Sequence, residues 1–245
     1  MKTFTSFLKV IAIVAVIGIG VFAPAKVYAQ QSEDFTYKEE GGGITITEYT
    51  GKGGDVTIPS QINGKQVTSI GDRAFMESVT ITSVTIPNGV TSIGAGAFAD
   101  SSLTNVTIPN SVTKIRASAF MDCKRLTSII IPSSVTSIET GAFNGTSLTS
   151  VTIPNSITSI ENATFYDCAN LLSVIIPSSV AKIGNSAFGE CPNLTSVTFQ
   201  GIISPGNFST GFVFDGDLRE KYLARNGGIG TYTRAKDADR WTKKQ

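Results

Sequence analysis

The residues that could carry chemistry are few. The chain of 245 residues has no histidine, so it lacks the commonest general base and metal ligand. Carboxylates stand singly, at Asp72, Glu77, Asp100, Asp122, Glu139, Glu161, Asp167 and Glu190, in stretches that read as turns. They form no recurring pair of the kind that glycoside hydrolysis needs. Three cysteines, Cys123, Cys168 and Cys191, each follow a phenylalanine by three residues. Without further ligands they make no metal site. They read as small buried thiols. The alternative is a disulfide between Cys168 and Cys191, which would lie on neighbouring units of the chain and within bonding reach. No catalytic residue, cofactor or metal is expected.

The elements that position these groups follow from one repeated phrase. VTIPNGVTSIGAGAF (84–98) returns as VTIPNSVTKIRASAF (106–120), IIIPSSVTSIETGAF (129–143), VTIPNSITSIENATF (151–165) and VIIPSSVAKIGNSAF (174–188). A diverged first copy runs from Val56 to Phe75. The phenylalanines at 75, 98, 120, 143, 165 and 188 recur alternately after 23 and 22 residues. A fixed period of this length is the mark of a solenoid. Within each copy the V-x-I step has period 2 and β-branched residues, which predicts a short strand with one buried face. Proline ends it, because it lacks a backbone donor. The next apolar pair, Val/Ile and then Ile three residues on, predicts a tight turn followed by a short helical or 3₁₀ segment. A small residue precedes each phenylalanine, so neighbouring coils can approach while the ring fills the interior. One coil cannot bury these positions alone; stacked coils bury them against one another.

The middle residue of each strand points away from the core. Down the stack these are Thr85, Thr107, Ile130, Thr152, Ile175 and Thr198, with Ser83, Asn105, Ser128, Ser150, Ser173 and Ser196 beside them. This face is neutral and rich in hydroxyls. It has no Trp or Tyr for stacking on sugars, and two isoleucines interrupt it. It is the candidate ligand face, suited to a protein partner.

The pattern LxxVxIPxxVxxIxxxAF, held in several columns over residues 56–200, resembles the BspA-like class of bacterial leucine-rich repeats. The resemblance implies a β-rich α/β solenoid: a curved right-handed stack of about six to seven coils, with a parallel sheet on the concave side. It also implies secreted or surface-exposed proteins, several of them regarded as adhesins for host proteins.

The ends differ from the middle. Lys2 and Lys9, an apolar run over 10–23 and the small residues of Val27-Tyr28-Ala29 predict a signal peptide over 1–29, cleaved after Ala29. Without it the chain carries 17 basic and 19 acidic residues, so an electrostatic nucleic-acid footprint is not expected. No membrane span is expected in the mature chain. Solenoid ends need caps. Residues 30–55 read as an N-terminal hairpin cap, with Phe35/Tyr37 and Ile44/Ile46 around glycines 41–43. The solenoid is expected to end at 200 and a C-terminal cap to fill 201–245, with a helix over 218–225 opened by a capping-box pair, Asp217 and Glu220.

Three functions fit these observations: a non-catalytic adhesion module for a host, matrix or neighbouring-cell protein, a structural scaffold of the envelope, and a hydrolase with a site on the strand face. The missing histidine and the unpaired carboxylates argue against the last.

Overall fold

The computed structural model describes residues 32–236 and 238–244. The expected signal peptide lies outside them. The described chain is a β-solenoid of seven coils, named here by their phenylalanines: 75, 98, 120, 143, 165, 188 and 214.

The phenylalanines form one interior column. Phe98, Phe120, Phe143 and Phe188 are fully buried, and adjacent rings stack 4.9–5.5 Å apart. This is close to the spacing of hydrogen-bonded strands. The backbone beside the rings is bonded from coil to coil without a break. Phe75 N–H donates to Ala97 O at 2.7 Å, Phe120 to Ala142 O at 2.8 Å, Phe143 to Thr164 O at 2.9 Å and Phe188 to Val213 O at 2.8 Å. The small residue before each ring, alanine in most coils, is what lets these backbones meet. The expected short helical segment does not form here. Instead the chain turns through left-handed residues, such as Ser118 (φ 55°) and Asp122 (φ 54°). Those residues aim their N–H groups at the next coil, and a continuing helix would have turned them inward.

The V-x-I segments form parallel strands as expected. Gly54–Thr57, Ile81–Thr85 and Asn105–Thr107 pair in one set; Ser150–Thr152, Ser173–Ile176 and Ser196–Phe199 pair in another. The fourth copy departs from expectation. Ser128–Ile131 is not a strand and separates the two sets. A third side, read from sequence as a tight turn, carries its own two-residue strands. Ser69, Ser92 and Lys114 follow one another in register there, and Ser137 follows Lys114.

Both ends are closed. Phe35–Glu40 and Gly43–Tyr49 form the expected antiparallel hairpin, and Tyr49 stacks on Phe75 at 5.2 Å. Residues 61–66, an insertion within the diverged first copy, form a second small hairpin turning at Asn63 and Gly64. At the other end the stack runs past the expected limit of 200. Phe214 stacks on Phe188 at 4.9 Å, and bridges join Ile183 to Phe208 and Phe188 to Phe214. Phe214 lies 26 residues after Phe188, so the period fails although the geometry continues. The helix is Leu218–Leu223, shorter than expected, and Asp217 makes no side-chain cap. Its Oδ1 accepts Trp241 N–H at 2.7 Å instead. The strand Gly230–Thr233 then pairs antiparallel with Ser196–Phe199, and Thr242–Lys243 pairs with it in turn.

Candidate protein-binding face

The outward column is exposed over most of its length. Thr85, Thr107, Ile130, Thr152 and Ile175 are open to solvent, as are Asn105, Ser128, Ser150 and Ser173. Their inward neighbours, Val84, Val106, Val151, Val174 and Val197, are buried. Within the strands this alternation separates the outward column from the core. Ile130 is 84% exposed and Ile175 46%, and Leu172 beside Ile175 is also exposed.

Its two ends are occupied by hydrogen bonds. Ser83 Oγ and Thr82 Oγ1 donate to Asp55 Oδ1 at 2.7 and 2.9 Å. These two bonds stabilise the charged carboxylate and lower the Asp55 pKa. Asp55 sits one coil before Ser83 in register and extends the face, which the diverged first copy concealed in sequence. At the far end Thr198 and Thr231 hydroxyls bond at 2.9 Å, so the cap strand continues the hydroxyl surface.

A hollow of about 240 Å³ opens beside Ile130, between Asn105–Ile108 and Ser128–Ile130. It lies where the fourth copy leaves the ladder. Every other copy places valine at the first strand position (56, 84, 106, 151, 174, 197), while this one has Ile129. Ile129 is only partly buried. An extra methylene is costly in a close-packed column, and this segment pairs with neither neighbouring strand. On another side, a hollow of about 420 Å³ is lined by Lys38, Glu40, Thr45, Ser69, Asp72 and Arg116. Its charges pair internally: Lys38 with Glu40 at 2.7 Å and Arg116 with Asp72 at 2.8 Å.

The carboxylates read as scattered fall into a column. Glu77, Asp100, Asp122, Asp167 and Glu190 each lie two residues after a core phenylalanine, all with φ between 53° and 57°. The fourth coil has Gly145 there (φ 68°), where an added Cβ would come within 2.6 Å of Asp122 Oδ1. The fixed offset from phenylalanine was the sequence signal for this column. Other turn carboxylates satisfy backbone donors: Asp72 accepts Ala95 N–H at 2.8 Å and Glu139 accepts Ala117 N–H at 3.0 Å. Among the described residues no group of three or more Cys, Asp or Glu could hold a metal ion.

The cysteines occupy one buried column as free thiols. Each Sγ–H donates to a phenylalanine carbonyl of the preceding coil: Cys123 to Phe98 O at 3.1 Å, Cys168 to Phe143 O and Cys191 to Phe165 O at 3.2 Å. Ser101 and Thr146 fill the same column in the shorter coils, within 3.4 and 3.3 Å of the next thiol. Burial pushes the Cys123 and Cys168 thiols up to about 11, and the Cys191 thiol further in the same direction. These are structural donors, not nucleophiles.

Sequence reading did not find Arg234. Its side chain is 3% exposed. It donates to Leu194 O at 2.7 Å, Cys191 O at 3.0 Å and Ala238 O at 3.0 Å, and lies 5.0 Å from the Trp241 ring. Asp215 Oδ2 is 3.5 Å away. It ties the cap to the carbonyl ends of the last coils.

A family model for the BspA-type leucine-rich repeat region matches residues 54–171 and 91–209, in six copies. Among solved structures, the leucine-rich repeat protein TpLRR of T. pallidum is 35% identical with a TM-score of 0.67; the match covers 69% of this chain and 80% of that one. A leucine-rich cell surface protein of Faecalibacterium prausnitzii is 29% identical with a TM-score of 0.60, covering 89% of this chain and 61% of that one. The pneumococcal vaccine antigen PcpA is 25% identical with a TM-score of 0.58, covering 75% and 52%. No curated protein matches the chain.

Proposed function

The chain belongs to the BspA-type leucine-rich repeat family, and we propose that it is a secreted or cell-surface, non-catalytic adhesion module that binds a protein through its V-x-I face. The partner is a host, matrix or neighbouring-cell protein. The observation that carries this reading is Ile130, 84% exposed in the middle of a hydroxyl column that does not need it for folding. An isolated exposed aliphatic group is unremarkable, but here Ile175 and Leu172, two coils further along, are exposed as well. An apolar centre with a polar rim is how protein contacts are built. Two features support the placement outside the cell: the sequence of residues 1–29 and the likeness to a leucine-rich cell surface protein. No helix among the described residues is long and apolar enough to cross a membrane.

The test is capture by the immobilised mature protein of matrix and host-surface proteins, with washed cell envelope of the producing cell as a second bait. Saturable capture of a foreign protein, lost on substituting Ile130 and Ile175, is the expected result. Capture of the envelope alone would make the chain a structural scaffold instead.

A further inference from the structure

The coils are zipped together on three sides, and the zipping is weakest around the fourth coil. On the Ile side, each coil's N–H bonds the previous coil's isoleucine carbonyl: Gly94 to Ile70 O, Arg116 to Ile93 O, Glu139 to Ile115 O, Gly184 to Ile160 O and Ser209 to Ile183 O, at 2.8–3.0 Å. Among the described residues the equivalent bond from Glu161 to Ile138 O is missing. The neighbouring bond from Thr158 to Thr136 O is missing too, although Thr136 bonds Thr113 O and Ala181 bonds Thr158 O at 2.9 Å. On the V-x-I side the Ser128–Ile131 segment pairs with neither neighbour, and Thr149 N–H to Thr127 O at 3.1 Å is the one backbone bond kept there between the fourth and fifth coils. The phenylalanine side is intact across the same boundary: Gly141 to Asn162 O, Phe143 to Thr164 O and Gly145 to Tyr166 O, with the Phe143 and Phe165 rings 5.5 Å apart.

We infer that the fourth coil is a hinge: the solenoid is two stiff halves that rock about the unbroken phenylalanine ladder, because Ile129 holds the fourth copy out of the V-x-I sheet. Elements bonded along all three sides move together, while a joint whose full ladder survives on one side only, with the Thr149 bond and hydroxyl bonds such as Ser147 Oγ to Lys124 O at 2.7 Å elsewhere, can open. Bending there changes the spacing between Ile130, on the hinge coil, and Ile175, two coils beyond it. This link to binding rests on the proposed face; the hinge itself does not.

The measurement is a spin-label distance distribution in the full chain. One pair, Thr107→Cys with Thr152→Cys, spans the fourth coil. The other, Thr152→Cys with Thr198→Cys, spans the same number of coils within the stiff half. The native thiols are buried and stay unlabelled. The spanning pair is expected to give a distribution roughly twofold broader. Adding Ile129→Val, which restores the residue of every other copy, is expected to narrow it to the width of the control. Equal widths in the parent would overturn the hinge. A broad distribution untouched by Ile129→Val would overturn Ile129 as its cause.

Discussion

The phenylalanine side and the V-x-I side are built from the same repeat, yet one is continuous and the other is split. The first buries a ring that fills its space in every coil, flanked by a small residue and a left-handed turn. Its ladder runs unbroken through seven coils, including the last, whose sequence no longer keeps the period. The second depends on a small β-branched residue in a narrow column, and one methylene at Ile129 opens it. A ladder anchored by large interlocking rings tolerates drift elsewhere in the repeat, whereas a shallow strand column does not. The difference leaves the face side free to vary, and it is there that the exposed isoleucines lie.

The largest effect is expected where the continuous side is cut. Phe143→Ala removes a ring packed between two others at 5.5 Å on each side. The loss should be ~3–5 kcal/mol by chemical denaturation, from lost burial and the cavity left behind. A loss below ~1 kcal/mol would show that the column does not carry the fold.

The cap comes next. Arg234→Met keeps apolar bulk against Trp241 but leaves Leu194 O, Cys191 O and Ala238 O without their donor, and Asp215 without its partner. We expect ~2–4 kcal/mol of destabilisation. An unfolding midpoint that hardly moves would separate the cap from the cooperative unit.

The thiols give a smaller effect with a definite sign. Burial raises the Cys123 and Cys168 pKa values from an ordinary 9.0 to about 11. The folded chain thus keeps protons that the unfolded chain has already released. This stabilisation is fully present below pH 9 and is lost as pH rises through about 11. Unfolding midpoints measured across that window should fall. Denatured, unreduced protein should titrate three free thiols; one free thiol would establish the Cys168–Cys191 disulfide instead.

Much of this was legible in the sequence. Column identity, strand position, the N-terminal hairpin and the outward face follow from period and alternation, because stacking repeats each local environment. What was not legible depended on register between coils. The acidic column from Glu77 to Glu190 is invisible until phenylalanine is taken as origin. The seventh coil lost its period but kept Phe214 in place. Arg234 acts through carbonyl groups of residues some forty positions away, and backbone acceptors leave no mark in a sequence. The break at Ile129 turns on a single methylene, which a pattern of apolar classes does not distinguish.

The smallest effect on stability is expected on the split side, and there it tests function. Ile130 and Ile175 both point away from the core, and Ile130 is 84% exposed. Replacing both with Lys should move stability by no more than about 0.5 kcal/mol, as for other surface changes. The circular dichroism spectrum should be unchanged. Affinity for a captured partner should fall at least ~tenfold, about 1.4 kcal/mol, because a contact centre tolerates an unpaired charge poorly. If a well-folded double variant binds as the parent does, the face is not the site. The comparison would then reverse, with the exposed acidic turns on the phenylalanine side, around Asp100 and Glu190, becoming the surface to test by charge reversal.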